Sequence, residues 1–399
     1  MPSAAPQQLV EAIASGVDIH DQSIANLVKV TEDFLQTSQT DKVDAHRRIG
    51  QAIFARSAEL YTGQGLPEYL VRYTYPAFLS VHLNTHCNAA CFFCREADYK
   101  GTSLEFDNLH VLTNAIRHAR IVDLTGWGEP FLYPKFEKVV EHVLQINPSP
   151  HMIFLTTNGS LLSRSWGQRL SGKIHKLVIS VNAGTAETYD TQMRYKNAAF
   201  TFDNLLENLR EFLPMLNDED RRGIDLHMVA NTGNFREASD LVKIAADFKI
   251  PLVSIGHYIC AQPQHMDKVL WNVKQEYNDE LSRARKLGAT LGVQVHGRKF
   301  FMDEKEVNGA DKCVAPFESI FIETTGKTTP CCFMGNERFG HIYEDGFEAV
   351  WFSEIMNKLR HKRDLPPCKV CTVFSPFDLK TTHISASLLT KKSPEIAVL

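Results

Sequence analysis

No stretch of the chain approaches the ~18 consecutive apolar residues that a membrane-spanning helix needs, so no membrane partner is expected. A surplus of one charge is also missing. The 43 Lys and Arg stand against 47 Asp and Glu, for a net −4, whereas a nucleic-acid-binding face usually needs a strongly basic patch. Met1 to Ser15 lacks a basic segment leading into an apolar core, which argues against a secretory leader and for a cytoplasmic protein. Internal repeats and low-complexity tracts are absent as well. What is there is ordinary globular material, 44% hydrophobic over 399 residues. That is enough for one large domain with an appendage, or for two domains.

Nine cysteines remain to be explained. They fall as Cys87, Cys91 and Cys94, then Cys313, then Cys331 with Cys332, then Cys368 with Cys371, with Cys260 apart. Without a leader, such spacing reads as metal ligation and not as a disulfide framework. The first group lies in Asn84-Thr85-His86-Cys87-Asn88-Ala89-Ala90-Cys91-Phe92-Phe93-Cys94, a C-x3-C-x2-C run. Three thiolates hold only three corners of a cubane iron–sulfur cluster, which normally takes four cysteines. No fourth lies nearby, so one iron would stay open, and open metal positions are where chemistry occurs. The alternatives are a zinc site completed by His86, or a chance set of thiols. Zinc prefers four donors in a tetrahedron.

From Pro76 onward, short β-rich runs alternate with helical patterns. Strands are expected at Phe78–Leu83, Ile121–Leu124, Met152–Thr156, Lys176–Val181, Asp225–Ala230 and Leu252–Ile255. Helices are expected near Asn108–Ala119, Lys135–Leu144, Leu162–Leu170, Phe202–Leu213 and Glu237–Phe248. Alternation of this kind argues for parallel βα units. The fold class is therefore α/β, a partial (β/α)6 TIM-type barrel, since no seventh unit is evident. The cysteine loop follows the first strand, at the strand end where such barrels place their active sites. A charged helix over Lys274–Gly288 leads away from the barrel. Ile320–Thr329 reads as a β-hairpin with Gly326 at its turn, followed by a helical segment at Phe347–Leu359. The expected organisation is a helical N-terminal extension over 1–75, with amphipathic segments at Gln22–Leu35 and Ala45–Tyr61, and a core barrel over 76–260. A connecting helical segment over 261–312, a small cysteine-rich α+β subdomain over 313–375 and a polar tail over 376–399 complete it.

The C-x3-C-x2-C run, with Phe93 just before its third cysteine, resembles the signature of the radical S-adenosylmethionine (SAM) enzymes. Asp123-Leu124-Thr125-Gly126-Trp127-Gly128-Glu129-Pro130 is similar to that family's GGEP-type motif, with Trp127 where the first Gly often stands. The resemblance implies that Gly128 and Glu129 meet the SAM ammonium and that Pro130 shapes the turn. Thr156-Thr157-Asn158-Gly159 at the third strand's end is also similar to the family. So is Ser180-Val181-Asn182-Ala183-Gly184 at the fourth. By that likeness Asn158 joins the SAM site, Ser180 meets the ribose, and Arg194 is a candidate for the carboxylate, for which a bidentate guanidinium is chemically suited. Asn231, after the fifth strand, is a further candidate. The bland reading of each is an ordinary loop residue.

Cys313, Cys331, Cys368 and Cys371 frame the hairpin and the helix. This arrangement resembles the C-terminal SPASM/Twitch auxiliary-cluster domains of the same superfamily, and the shorter Twitch form fits better because no cysteine follows Cys371. Cys332 competes with Cys331, but Gly326, five positions before Cys331, favours Cys331. Four thiolates would complete a second [4Fe–4S] cluster, and a four-cysteine zinc site is the alternative. Cys260 is assigned nothing.

The resemblance implies reductive cleavage of SAM to a 5′-deoxyadenosyl radical and hydrogen abstraction from a small polar, sugar-like metabolite, leading to oxidation, elimination or epimerisation. A peptide- or protein-modifying maturase is the alternative, and a non-catalytic iron–sulfur or zinc scaffold a third. Implied cofactors are SAM and two [4Fe–4S] clusters. Implied partners are a small-molecule or peptide substrate and an electron donor such as flavodoxin or ferredoxin. No catalytic acid or base is legible; His257, Tyr258 and carboxylates near strand ends are all open.

Overall fold

The computed structural model describes residues 75–94, 101–147, 152–197, 199–258, 263–299, 315–332, 334, 339–361, 365 and 368. The segments Gln22–Leu35 and Ala45–Tyr61, together with Cys260, Cys313, Cys371 and the tail beyond Lys380, lie outside the described residues.

Six strands form where the apolar β-branched runs place them: β1 (Phe78–Val81), β2 (Ile121–Asp123), β3 (Met152–Thr157), β4 (Lys176–Ser180), β5 (Ile224–Ala230) and β6 (Leu252–His257). Between them run α1 (Thr113–His118), α2 (Phe136–Ile146), α3 (Arg164–Leu170), α4 (Ala186–Met193), α5 (Phe202–Phe212) and α6 (Ala238–Asp247). Hydroxyls at helix starts meet amides that no turn satisfies. Ser163 accepts from Trp166 N ahead of α3, and Thr185 from Thr188 N ahead of α4; such caps contribute about 1 kcal/mol each.

Beyond these six units the chain adds another parallel strand where the sequence shows none. The charged helix α7 (Lys274–Leu291) does not lead away. It buries Tyr277, Leu281 and Ala284 and returns the chain to β7 (Gln294–Gly297), parallel to β6. Only four residues long and largely polar, β7 carries too little apolar alternation to be read as a strand.

The C-terminal segment enters the same sheet. Its hairpin, β8 (Ser319–Ile322) and β9 (Thr328–Thr329), pairs through β8 in parallel with β1. The order is β7-β6-β5-β4-β3-β2-β1-β8-β9, parallel except for β9. Gly326 turns the hairpin at φ +93°, where a Cβ would stand 2.5 Å from Tyr343 Cδ2, so only glycine fits. The expected helix beyond it is two helices, α8 (Phe347–Trp351) and α9 (Glu354–His361), broken at Phe352 and Ser353. Arg360 ties them down, donating to Pro316 O (2.9 Å) and Trp351 O (2.8 Å).

Alternation splits the strand residues between two faces. Leu79, Val122, Leu155, Ile179, Leu226 and Val253 face the helices in the main core, against Val139, Val140 and Val143 of α2. Phe78, Ile121, Phe154, Val178 and Phe321 form a separate cluster on the other face. The rings of Phe78 and Phe154 lie 6.5 Å apart although β2 runs between their strands. A flat sheet would hold strands two apart at roughly 9.5 Å, so this inner face is concave.

Candidate active site

The cysteine loop leaves β1 at the carboxyl edge of the sheet and is strapped on both sides. On one side Glu129 N donates to His86 O (2.7 Å), and Asn84 Nδ2 donates to Glu129 O (3.0 Å). Gly128 is pressed against the loop so closely that a Cβ would lie 2.2 Å from Asn84 Oδ1 and 2.5 Å from His86 O. On the other side the residues after α4 hold it. Ala90 N donates to Arg194 O (3.0 Å), Arg194 Nε to Ala90 O (3.1 Å), and Lys196 N to Asn88 O (2.8 Å).

Within the loop, Cys94 N donates to Cys91 O (3.1 Å), closing a turn that brings the last two cysteines together. Cys94 is exposed and Cys87 and Cys91 are half-buried. Cys87 Sγ accepts from Ala89 N (3.5 Å) and from Asn158 Nδ2 (3.8 Å). The Cys91 thiol donates to Met193 O (3.3 Å). Burial first, then the neighbouring Cys94 and Cys87, push the Cys91 thiol far up. A bound cation reverses that pressure, because coordination deprotonates a thiol outright. Among the described residues no three His, Cys, Asp or Glu side chains gather around a single point. A four-iron cube takes its thiolates at separate corners. Three soft donors on a short, partly exposed, doubly strapped loop fit such a group.

Asn158 is the hub beside the loop. Its amide donates to Asn88 Oδ1 (2.8 Å), its Oδ1 accepts from Ser160 Oγ (2.6 Å), and Asn88 Nδ2 donates to Ser160 Oγ (2.8 Å), closing a ring of three side chains. Tyr195 donates to Asn158 O (3.0 Å) and accepts from Tyr189 (3.0 Å). Phe93 packs into the main core and fixes the loop from below. Ser180 ends β4 on the concave face, half-buried.

Other sequence-expected residues sit differently. Glu129 is 1% exposed, and its carboxylate accepts from Thr157 Oγ1 (2.7 Å), Asn158 N (2.8 Å) and Phe131 N (3.3 Å). The carboxylate thus ties the β2 turn to the end of β3, and burial pushes it up to about 7. Arg194 spends its Nε on the cysteine loop from a left-handed backbone at φ +40°. Asn231 is fully buried, bonded to Gln192, Val229, Gly233 and Asn234; it shapes the turn after β5. His257 Nε2 donates to Arg298 O (2.8 Å) and the ring lies against Tyr277, so it fastens the end of β7. Tyr258 is buried edge-on to Phe92 of the cysteine loop. Met193 and Tyr195 meet the cysteine loop, and Asn88 within it meets Asn158 and Ser160, across long sequence separations that no local spacing announces.

In the C-terminal segment Cys331 is buried in the main core, with Met334, Phe339 and half-buried Cys368 in the same cluster. Cys332 points the other way, against Phe78, Phe154 and the rest of the concave-face cluster. Cys331 and not Cys332 therefore shares a cluster with Cys368.

Residues 313–372 match the family described as SPASM, an iron–sulfur cluster-binding domain. The chain is 26% identical over 137 residues to the S-adenosylmethionine-dependent nucleotide dehydratase RSAD2 of Danio rerio, covering 33% of this chain and 38% of that protein. It is 27% identical over 175 residues to a GTPase Obg of Brachyspira hyodysenteriae, covering 41% of this chain and 25% of that protein. The chain therefore spans well under half the length of these curated relatives, and the phosphate-binding run G-x-x-x-x-G-K-S/T occurs nowhere in it. Among solved structures, Streptococcus suis SuiB bound to S-adenosylmethionine superposes with TM-score 0.58 at 16% identity, over 88% of this chain and 81% of that one. The anSMEcpe structure with bound AdoMet gives 0.55 at 14% identity, over 78% and 91%. Those likenesses concern the fold. Together with the cysteine loop and the turn strapped to it, the matched C-terminal segment makes the chain similar to radical SAM proteins that carry a C-terminal SPASM-type domain.

Proposed function

We propose that the chain is an enzyme that cleaves SAM reductively and uses the product to remove a hydrogen atom from a C–H bond. The observation that carries this reading is the strapping of one loop with three cysteines to the Gly126–Pro130 turn and to Asn158, at the carboxyl edge of a parallel sheet. Cys87, Cys91 and Cys94 would hold a [4Fe–4S] cluster, and Cys313, Cys331, Cys368 and Cys371 a second one. Bound there, the cluster and SAM supply a 5′-deoxyadenosyl radical.

The chain's own residues position and shield that chemistry. Gly128, lacking a side chain, lets the turn approach the loop, and the turn's backbone carbonyls are the acceptors left for an ammonium once the Glu129 carboxylate is engaged below. Asn158 hydrogen-bonds Cys87, and Ser180 offers a hydroxyl to a ribose. Phe92, edge-on to Tyr258 and against His265, walls the loop from solvent.

The leading substrate is a small polar, sugar-like molecule, a reading supported by the similarity to a nucleotide dehydratase. A peptide is the second reading, supported by the fold shared with SuiB, solved bound to the precursor peptide SuiA. Among the described residues no helix is long and apolar enough to cross a membrane, and the tight cysteine spacing suits a reducing, cytoplasmic setting and an electron donor such as flavodoxin or ferredoxin. The test is anaerobic incubation of the iron-loaded, reduced protein with SAM. Formation of 5′-deoxyadenosine, lost in Cys91→Ala, is the expected result; none from fully loaded protein would leave a scaffold in its place.

A further inference from the structure

The concave face changes character along the strands. Its lower part is sealed and apolar around Phe78, Phe154, Val178 and Phe321. The level formed by Val178, Asp225 and Leu252, neighbours in register, is buried. Asp225 there is matched by Lys176 Nζ at 3.2 Å, both side chains at 0% exposure, so no net charge reaches the space above.

One step further toward the cysteine loop the same face becomes polar. Ser180 pairs with His227, His227 with Ser254, and Ser254 with His296, which sets four polar side chains in one row across β4 to β7. His227 Nδ1 and Ser254 Oγ are 2.8 Å apart. Ser180, His227 and His296 are half-buried, so here the face opens to solvent. Across the concavity, His82 follows β1 on the same face, because Val81 and Leu83 on either side of it enter the outer core. Its ring is packed beneath Gly126, and its buried Nδ1 has no hydrogen-bond partner among the described residues. A buried imidazole nitrogen without a partner is destabilising, and a ligand that supplies the bond removes that cost.

We infer that His82 and the row Ser180, His227, Ser254 and His296 are the polar walls of the substrate chamber, and that the chamber takes a small uncharged, hydroxyl-rich molecule of the polyol or sugar-ring class. This rests on the proposal that SAM binds between the cysteine loop and Ser180. The chemistry of the walls selects the class. Burial lowers the basicity of His82, His227 and His296, so the imidazoles are neutral at neutral pH. Asp123, in register with Ser80 and Phe154 at the level of the floor, is engaged by Ser80 Oγ (2.7 Å) and Thr125 N (2.9 Å) and is pushed by burial toward its neutral form. Neutral donors and acceptors over an aromatic floor match a ring with hydroxyl edges and an apolar C–H face. They offer no counter-ion to a phosphate, a carboxylate or an ammonium, whose desolvation would go uncompensated.

The iron-loaded, reduced full chain with SAM is titrated with myo-inositol, D-glucose and ribitol, and in parallel with D-glucose 6-phosphate, D-gluconate and a short unstructured peptide. Two signals are read: the rate of 5′-deoxyadenosine formation and the imidazole NMR shifts of 13C-labelled histidine. An uncharged polyol should raise the rate and move the His227 and His296 signals saturably. Ser254→Ala and His296→Phe should raise its half-saturating concentration about fivefold to tenfold, the loss of a single neutral hydrogen bond. Lys243→Ala, exposed on the outer face of α6, should not change it. Ser254→Ala removes only a hydroxyl and keeps the test open if His296→Phe does not fold. Stimulation by the charged sugars or the peptide alone, or polyol binding indifferent to both variants, overturns the inference. So do unmoved imidazole signals while SAM is still cleaved. Absence of 5′-deoxyadenosine in every arm, including SAM alone, instead overturns the cofactor reading, and the inference with it.

Discussion

The amide of Glu129 donates to the carbonyl of His86 at 2.7 Å, which makes the Gly126–Pro130 turn and the cysteine loop one hydrogen-bonded unit. Gly128→Ala should break that unit, because the new methyl would stand 2.2 Å from Asn84 Oδ1. Overpacking of this kind costs roughly 1–3 kcal/mol. The expected outcome is slower SAM cleavage by at least about tenfold with weakened iron retention, measured by 5′-deoxyadenosine yield and iron content after gel filtration.

Glu129 and His82 are expected to bend the pH dependence of stability in opposite directions. Burial raises the Glu129 carboxyl from 4.5 to about 7, so the folded protein holds a proton that the unfolded chain releases. Stability then falls as pH rises between those values, by up to about 3 kcal/mol. Burial lowers His82 from 6.5 to about 4. The unfolded chain takes the proton first, and stability rises with pH through that window by a similar amount, again about 3 kcal/mol. The two windows overlap and offset each other in the native protein. In melts of metal-free protein, Glu129→Gln should leave a melting temperature that climbs from about pH 4 to 6.5. His82→Gln should leave one that drops toward pH 7.

Lys176 and Asp225 are both fully buried and face each other at 3.2 Å. Lys176→Met should cost roughly 3–5 kcal/mol, because Asp225 then loses its cation in a low-dielectric interior. The double variant Lys176→Met/Asp225→Leu should recover most of the loss. Urea denaturation of the two proteins distinguishes this from a packing effect, which would worsen with the second substitution.

Cys331 and Cys332 should separate by iron content. Full loading corresponds to about eight irons, two cubanes. Cys332→Ser should leave that number unchanged, since its side chain faces the inner aromatic cluster. Cys331→Ser should bring it toward four, as should a Cys87/Cys91/Cys94 triple variant by emptying the other site. Zinc in place of the remaining four irons in that triple variant would assign the C-terminal cysteines to a structural ion instead.

Much of this was legible in the residues and some was not, for physical reasons. Ile121-Val122 and Leu177-Val178-Ile179 announce buried parallel strands because both faces are apolar. Gln294–Gly297 does not, being short and half-exposed at the sheet's edge. Ala186–Met193 does not read as a helix because Ala-Glu-Thr-Tyr-Asp-Thr-Gln-Met offers almost no apolar stripe. Its stability comes from the Thr185 cap and from burying Tyr189 and Met193. Cysteine spacing is local and therefore readable. The use of Glu129 is not, since a glutamate after a strand reads the same whether it faces a ligand or, as here, anchors Thr157 and Asn158.

The parallel pairing of β1 with β8 joins Phe78–Val81 to Ser319–Ile322, strands far apart in sequence. A ribosome must therefore deliver nearly the whole chain before the strand that feeds the cysteine loop gains its second neighbour, and contacts of such long range form slowly. Until then β1 is a bare edge, open to pairing with other chains, and any shortened product ending ahead of Ser319 keeps that hazard for good.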